Sequence, residues 1–309
     1  MISARVAVLL ATRNGMRFLD AQIGSIDHQT CLNIDLWISD DASTDGTRAY
    51  LDQLGPAWSR GAVEILSGPA TGHAAENFRT LITKVRGNAD YFAYCDQDDV
   101  WLPTKLEKAI LRLQEAAPSR PALYCTRTAL IDEDGKPIGQ STYFERGADF
   151  RHALVQSLAG GNTMVMNRAA FEIVQRSCER TELVSHDWWT YMILAGAGGL
   201  IIYDREPDTL YRQHSANVIG SNQSMRAKLV RLLALRRGEY KSWNDQNISG
   251  LMLCRDLLSA EALRALDAFR QARDGQLWQR LARLRASGVF RQTLGGQVML
   301  YVASALGKV

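Results

Sequence analysis

Residues 6–11 read Val-Ala-Val-Leu-Leu-Ala, an apolar run with no in–out alternation. A strand of this kind is buried on both faces, as interior strands are in a parallel sheet covered by helices. The next hundred residues repeat the unit. A Thr12-Arg13-Asn14-Gly15 turn leads to helical spacing over 18–26, and a second strand at 36–39 runs into Asp40-Asp41-Ala42-Ser43-Thr44-Asp45-Gly46-Thr47 and another helix. Strands at 63–66 and 91–95 flank a helix near 76–85, and Asp96-Gln97-Asp98-Asp99 precedes Trp101-Leu102-Pro103 and a helix over 104–116. This alternation predicts an α/β fold with a mostly parallel central sheet and helices on both faces.

Ligands of an open parallel sheet bind where the strands end at their carboxyl edge. Three of the first four strands end in polar or acidic turns, so all three open onto one rim. Taken singly, the first two turns also have a plain reading, with Ser43 or Asp45 capping the next helix. The third is harder to explain by folding. Three carboxylates within four residues, Asp96, Asp98 and Asp99, repel one another, and the helix beyond them compensates only in part. A hard divalent cation, Mn²⁺ or Mg²⁺, relieves that repulsion and keeps positions open for phosphate oxygens. No Gly-x-x-x-x-Gly-Lys loop is present, which argues against a P-loop ATPase.

The middle, 126–221, is less regular. Asp132-Glu133-Asp134-Gly135 signals a hairpin, Gly160-Gly161-Asn162-Thr163 leads into a strand at 164–166, and 198–203 reads as another strand. His186-Asp187-Trp188-Trp189 heads a helix, where Asp187 suits a capping position. Beyond Gly220 the pattern is helical, and residues 222–309 hold 15 Lys and Arg against 6 Asp and Glu, with 21 against 27 before them. A basic tail on an acidic body asks for an anionic partner. The net charge of +3 is too small to argue for nucleic acid.

These residues resemble a known family. Segments 6–15, 39–47 and 91–105 look like the nucleotide-sugar-binding half of inverting family 2 glycosyltransferases of the GT-A fold, and the resemblance extends over about 5–221. It implies that Asp96-Gln97-Asp98 is the Asp-x-Asp motif, with Asp98 ligating the metal and Asp96 assisting or touching the ribose. It also implies that Asp40 or Asp41 meets the nucleobase, that Thr12 and Asn14 lie near the nucleotide, and that Asn77, in Ala75-Glu76-Asn77-Phe78, lines the donor pocket. Asp187 falls where such enzymes place the base that deprotonates the acceptor hydroxyl, with His186 beside it to orient the base or the phosphates. Tyr211-Arg212-Gln213-His214 resembles a segment of rhamnosyltransferase-like members, with His214 as metal or diphosphate contact and Arg212 neutralising phosphate charge. The Gln/Arg-x-x-Arg-Trp motif of processive synthases is missing, which favours single sugar addition.

The expected organisation is a GT-A domain over 1–221, its donor half 1–125 and acceptor half 126–221, and a helical, basic region over 222–309. The expected reaction is metal-dependent inverting transfer from a nucleotide diphosphate sugar, deoxythymidine-diphosphate rhamnose first, to a glycan or lipid-linked glycan. Two rivals stand beside it. A sugar-1-phosphate nucleotidyltransferase would want a Gly-rich basic loop where Thr12-Arg13-Asn14-Gly15 stands. A non-catalytic nucleotide-sugar-binding protein would have no use for both Asp98 and Asp187.

Five scattered cysteines without a C-x-x-C pair read as reduced core thiols, and the N-terminus lacks the pattern of a signal peptide. The expected location is cytoplasmic, with peripheral attachment at the inner face of the cell membrane as one outcome for the tail. Leu and Arg interleave over 225–237 and 263–289, a pattern that suits a basic helix lying on an anionic membrane. It equally suits a helix that buries its Leu face against the catalytic domain.

Overall fold

The computed structural model describes residues 4–214 and 237–309. Strand β1 (Arg5–Thr12) is central, as its sequence requires, and pairs in parallel with β2 (Asn33–Asp40) on one side and β4 (Tyr91–Asp96) on the other. Its two faces feed two cores. Val6, Val8 and Leu10 pack with α1 (Met16–Asp27), α2 (Thr47–Ala57) and α4 (Lys105–Leu113), while Ala7 and Leu9 pack with α3 (Ala74–Lys84) and later helices. Both faces of residues 6–10 are thus fully dehydrated, which is the main stabilising term for such a strand.

Strand β3 (Val63–Ser67) extends the sheet beyond β2. On the far side lie β6 (Ala122–Thr126), β9 (Val165–Asn167) and β10 (Leu200–Asp204), giving the order β10-β6-β9-β4-β1-β2-β3. All neighbours run parallel except β9, which is antiparallel to both β4 and β6. The chain builds outward from β1 through β2 to β3 and then returns to β4 on the opposite side, so the strand order reverses at β1. Crevices form at such reversals.

A second sheet of β5 (Val100–Trp101), β11 (Thr209–Arg212), β7 (Ala129–Ile131) and β8 (Pro137–Gln140) stands beside this edge. The hairpin expected at Asp132–Gly135 joins β7 to β8. Strand β5 comes directly after the acidic turn and pairs antiparallel with β11, which draws Arg212 and His214 over that turn.

Helices α5 (Phe150–Ala153), α6 (Arg168–Cys178) and α7 (His186–Gly196) cover the face that α3 shares. The C-terminal helices α8 (Glu239–Leu253), α9 (Ala260–Ala272), α10 (Leu277–Ser287) and α11 (Leu294–Ala305) continue the same core through Leu251, Leu266, Phe269, Leu284 and Leu300. Of the two arrangements open to residues 263–289, burial of the Leu face is the one seen in α9. Residues 225–236 of the other basic segment lie outside the described residues. All five cysteines are buried and free. Among the described residues no helix is long and apolar enough to cross a membrane.

Candidate functional site

The ends of β1 and β2 meet in a buried knot of polar side chains. Thr12 faces Asp40 across the sheet, and its hydroxyl donates to the Asp40 carboxylate at 3.2 Å. Asn77, reaching up from α3, donates through Nδ2 to the carbonyls of Thr12 and Ser39, both at 3.1 Å. Asp41 accepts from the backbone N–H groups of Thr71 (3.2 Å) and Gly72 (2.7 Å) and from the Arg13 guanidinium at 3.2 Å. These four side chains are nearly inaccessible, so they fix the two loops that rim the crevice. Asn14 does the same from above: it holds φ 49°, its N–H donates to Ser43 Oγ at 2.8 Å and its Oδ1 accepts from Thr44 N–H at 2.8 Å.

The acidic turn lies one strand over, with Asp96 in register with Ala11. Gln97 is turned back onto the first loop, accepting from Arg13 N–H at 2.8 Å and donating to the Arg13 carbonyl at 3.0 Å. Its side chain lies where a Cβ on Gly15 would stand. Asp99 is fully buried, takes a short hydrogen bond from Asn162 Nδ2 and accepts from the backbone N–H of Arg212 at 3.2 Å. Burial and the neighbouring Asp98 push its carboxyl up to about 7. Asp96 is raised well above the carboxylate range by burial and then by Asp99, Asp98 and Asp187. Four carboxylates therefore act on one small volume.

Asp187 enters this set from the first turn of α7. Ser185 holds the N-cap position without a capping bond from its side chain, and Asp187 is the second residue of the helix. Its Oδ1 accepts from the Ser185 hydroxyl and, at 2.6 Å, from the Trp188 N–H. Among the described residues its second oxygen carries no hydrogen bond, the state a proton acceptor requires. His186 precedes Asp187 in the same turn. It is buried, stacks on Phe78 with centroids 3.7 Å apart, and burial lowers its imidazole to about 4. It is therefore a buried, neutral residue.

After β11 the chain closes the site from above. His214 Nε2 donates to Asp98 Oδ2 at 2.8 Å, and its ring packs on Phe18 with centroids 5.2 Å apart. Arg212 donates to the carbonyls of Asp98 (3.0 Å), Glu133 (2.9 Å) and Asp132 (3.3 Å), and its guanidinium lies 4.8 Å from the Phe18 ring centre. Arg212 thus ties the acidic turn to the β7–β8 hairpin. Three supporting residues were not foreseen from the sequence. Lys105 is completely buried, bound by Asp208 at 3.1 Å and Thr209 at 3.0 Å. Gln97 and Asn162 complete the set. A lysine in register with Leu106, Ala109 and Ile110 on the apolar face of α4 was the available signal for the first.

Residues 7–173 match the sequence model of a family described as Glycosyl transferase family 2. The chain belongs to family 2 of the glycosyltransferases. As a member of that family it is a glycosyltransferase, and its relatives agree. It is 29% identical over 243 residues, 75% of this chain and 81% of the relative, to the dTDP-rhamnosyl transferase RfbG of Shigella flexneri.

The fold is also similar to two solved structures. The S. aureus TarS 1-349 complex with UDP-GlcNAc superposes with a TM-score of 0.52 at 13% identity, over 98% of this chain and 92% of that one. The mannosyltransferase PcManGT from Pyrobaculum calidifontis, in complex with GDP-Man and Mn²⁺, gives 0.53 at 17%, over 100% and 82%. The GT-A fold expected from the sequence is the fold observed. In this family 2 glycosyltransferase the structure gathers Asp96, Asp98, Asp187, Arg212 and His214 at one end of the sheet. Thr12, Asp40, Asp41 and Asn77 lie behind the adjoining rim.

Proposed function

We propose that this glycosyltransferase moves one sugar from a nucleotide diphosphate donor to a hydroxyl acceptor by a single displacement with inversion. The observation that carries the reading is the gathering of Asp96, Asp98, Asp99 and Asp187 about one volume, where burial first, and then repulsion from Asp99, Asp98 and Asp187, raises the carboxyl of Asp96 well above its ordinary range. A divalent cation fits these donors. Lys105 and Arg212 are engaged with other groups nearby, and the carboxylate oxygens of Asp98 and Asp96 would be the hard donors, with the imidazole of His214 beside Asp98. Among the described residues no group of three His, Cys, Asp or Glu is placed to hold a metal by itself, so substrate phosphate oxygens would have to complete the shell.

Bound there, Mn²⁺ or Mg²⁺ would supply Lewis-acid stabilisation of the departing nucleotide diphosphate. The chain's own residues do the rest. Asp187, oriented through Oδ1, removes the acceptor proton with its second oxygen. Asp41 and Asn77 hold the loops around residues 12–15 and 68–72 in place for the nucleotide. Holding donor and acceptor in line removes a bimolecular entropy cost.

The rhamnosyl relative makes deoxythymidine-diphosphate rhamnose the first donor to test, with UDP-hexoses second. The acceptor we propose is a glycan or lipid-linked glycan of a surface polysaccharide, met at the cytoplasmic face of the membrane. A nucleotide-sugar panel with Mn²⁺ or Mg²⁺, scored by release of free nucleotide diphosphate, tests the reading. Turnover dependent on metal and on one donor class is expected. Release of pyrophosphate instead would assign a nucleotidyltransferase, and binding without turnover would remove the enzyme reading.

A further inference from the structure

The C-terminal helices bury one side against the core and leave another uncovered. Helix α11 turns Leu300 and Ala303 inward, while Leu294 is 88% exposed, Val298 61%, Val302 41% and Leu306 62%. The outward set recurs every four residues along one face of the helix. On α10, Trp278 is 78% exposed. Between the two helices runs an apolar groove of about 480 Å³ whose walls include Leu281, Leu294, Val298 and Tyr301. Monomeric proteins seldom leave so continuous an apolar face in water.

The charge around this face selects its occupant. Residues 275–309 carry Arg280, Arg283, Arg285, Arg291 and Lys308 and no Asp or Glu at all. Arg280 and Arg283 hold helix ends together through backbone carbonyls. Arg285 is exposed, lies two turns from Trp278 on the same side of α10, and among the described residues its side chain makes no hydrogen bond. A second copy of the chain docked here would bring two positive faces together, which costs association energy. An anionic lipid surface satisfies both features at once, taking the apolar face into the headgroup boundary and the arginine at the phosphates. Tryptophan is the side chain most at home in that boundary.

We propose that α10 and α11 form a docking face for an anionic lipid surface, with Trp278, Leu294, Val298 and Leu306 inserted and Arg285 at the headgroups. Charge and exposure alone carry this assignment, independently of the donor or acceptor proposed above. The contact lies away from residues 263–272, whose apolar side is already buried.

The test uses the full chain with vesicles of phosphatidylcholine alone or mixed with phosphatidylglycerol, in a sedimentation assay. Binding to the mixed vesicles at low salt, release at high salt, and a bound fraction about tenfold lower on the neutral vesicles are expected. The combined variant Leu294→Ser, Val298→Ser, Leu306→Ser should lose about tenfold. Single Trp278→Ala and Arg285→Glu variants, which alter only exposed side chains, should each lose a measurable part while melting as the parent does. Equal binding to both vesicles, no binding at low salt, or variants that bind like the parent would overturn the proposal. So would self-association on a sizing column that the combined variant abolishes, since a second copy would then be the occupant.

Discussion

At Asp98 the side chain is in contact with His214 and raises the charge cost of Asp99 and Asp96. Asp98→Asn removes one negative charge from a crowded set while keeping the shape. The apo-protein should therefore melt no lower than the parent. Metal-dependent release of nucleotide diphosphate should fall by about 10² or more, as when a main electrostatic contact to the leaving group is lost. Parental turnover in this variant would remove Asp98 from the metal site. Asp187→Asn probes a different step. The amide still accepts from Ser185 and Trp188 but takes no proton at neutral pH, so donor affinity should survive while transfer drops by about 10². Collapse of donor affinity, read by titration with the nucleotide diphosphate, would make Asp187 a binding residue. The acidic turn was legible from the sequence because clustered carboxylates have few structural uses. The roles of Arg212 and His214 were suggested only by resemblance, since their approach to Asp98 depends on a strand pairing between residues 100–101 and 209–210 that no local pattern encodes.

Among the elements, apolar runs bounded by turn residues were readable, including the half-exposed strands β3 and β10, while the fully buried β6 was not picked out. β1, β2 and β4 announce themselves by their apolar stretches at 6–11, 36–38 and 91–95, and the helices between them are set by spacing. β9 was found as a short strand, but its antiparallel insertion between β4 and β6 was not, because pairing direction leaves no mark on a three-residue segment. The second sheet was missed as a unit for the same reason: β5 has only two residues and β7 three. The loop at 68–72 is a case where structure explains sequence. It carries Ala70 at φ 58° and Gly72 at φ 78°, and Asp41 secures it through two backbone N–H groups. Asp41→Ala should leave those donors and Arg13 without their carboxylate, destabilising the fold by about 1–3 kcal/mol. Donor affinity should fall together with stability, because the loop borders the proposed nucleotide pocket. A variant that unfolds in denaturant at the parental midpoint and binds nucleotide normally would count against the loop's role.

For the molecule as a whole, stability should depend on pH through two opposed sets of buried groups. His152 and His186 are both lowered by burial to about 4, against about 6.5 in an unfolded chain. Each stays neutral in the fold, so the stability it permits is complete above pH 6.5 and is lost as pH falls through that range toward 4. Asp99, raised to about 7, and Asp96, raised well above the ordinary carboxylate range, have the opposite sign. Their protons are held by the folded state and lost by the unfolded one, so they penalise the fold as pH rises from about 4 toward 7. The two slopes act over one window and offset each other in the apo-protein. Removing either set unmasks the other. Asp99→Asn keeps acceptor and donor capacity toward Arg212 and Asn162 but abolishes the carboxylate contribution, so its stability should decline more steeply than the parent's between pH 7 and 4.5. His152→Asn, whose amide still meets the Tyr191 hydroxyl that Nδ1 contacts at 3.0 Å, should decline less steeply. Denaturant midpoints for the three proteins across that range give the slopes directly. The reverse order would show that these four groups do not hold the protonation states their surroundings impose.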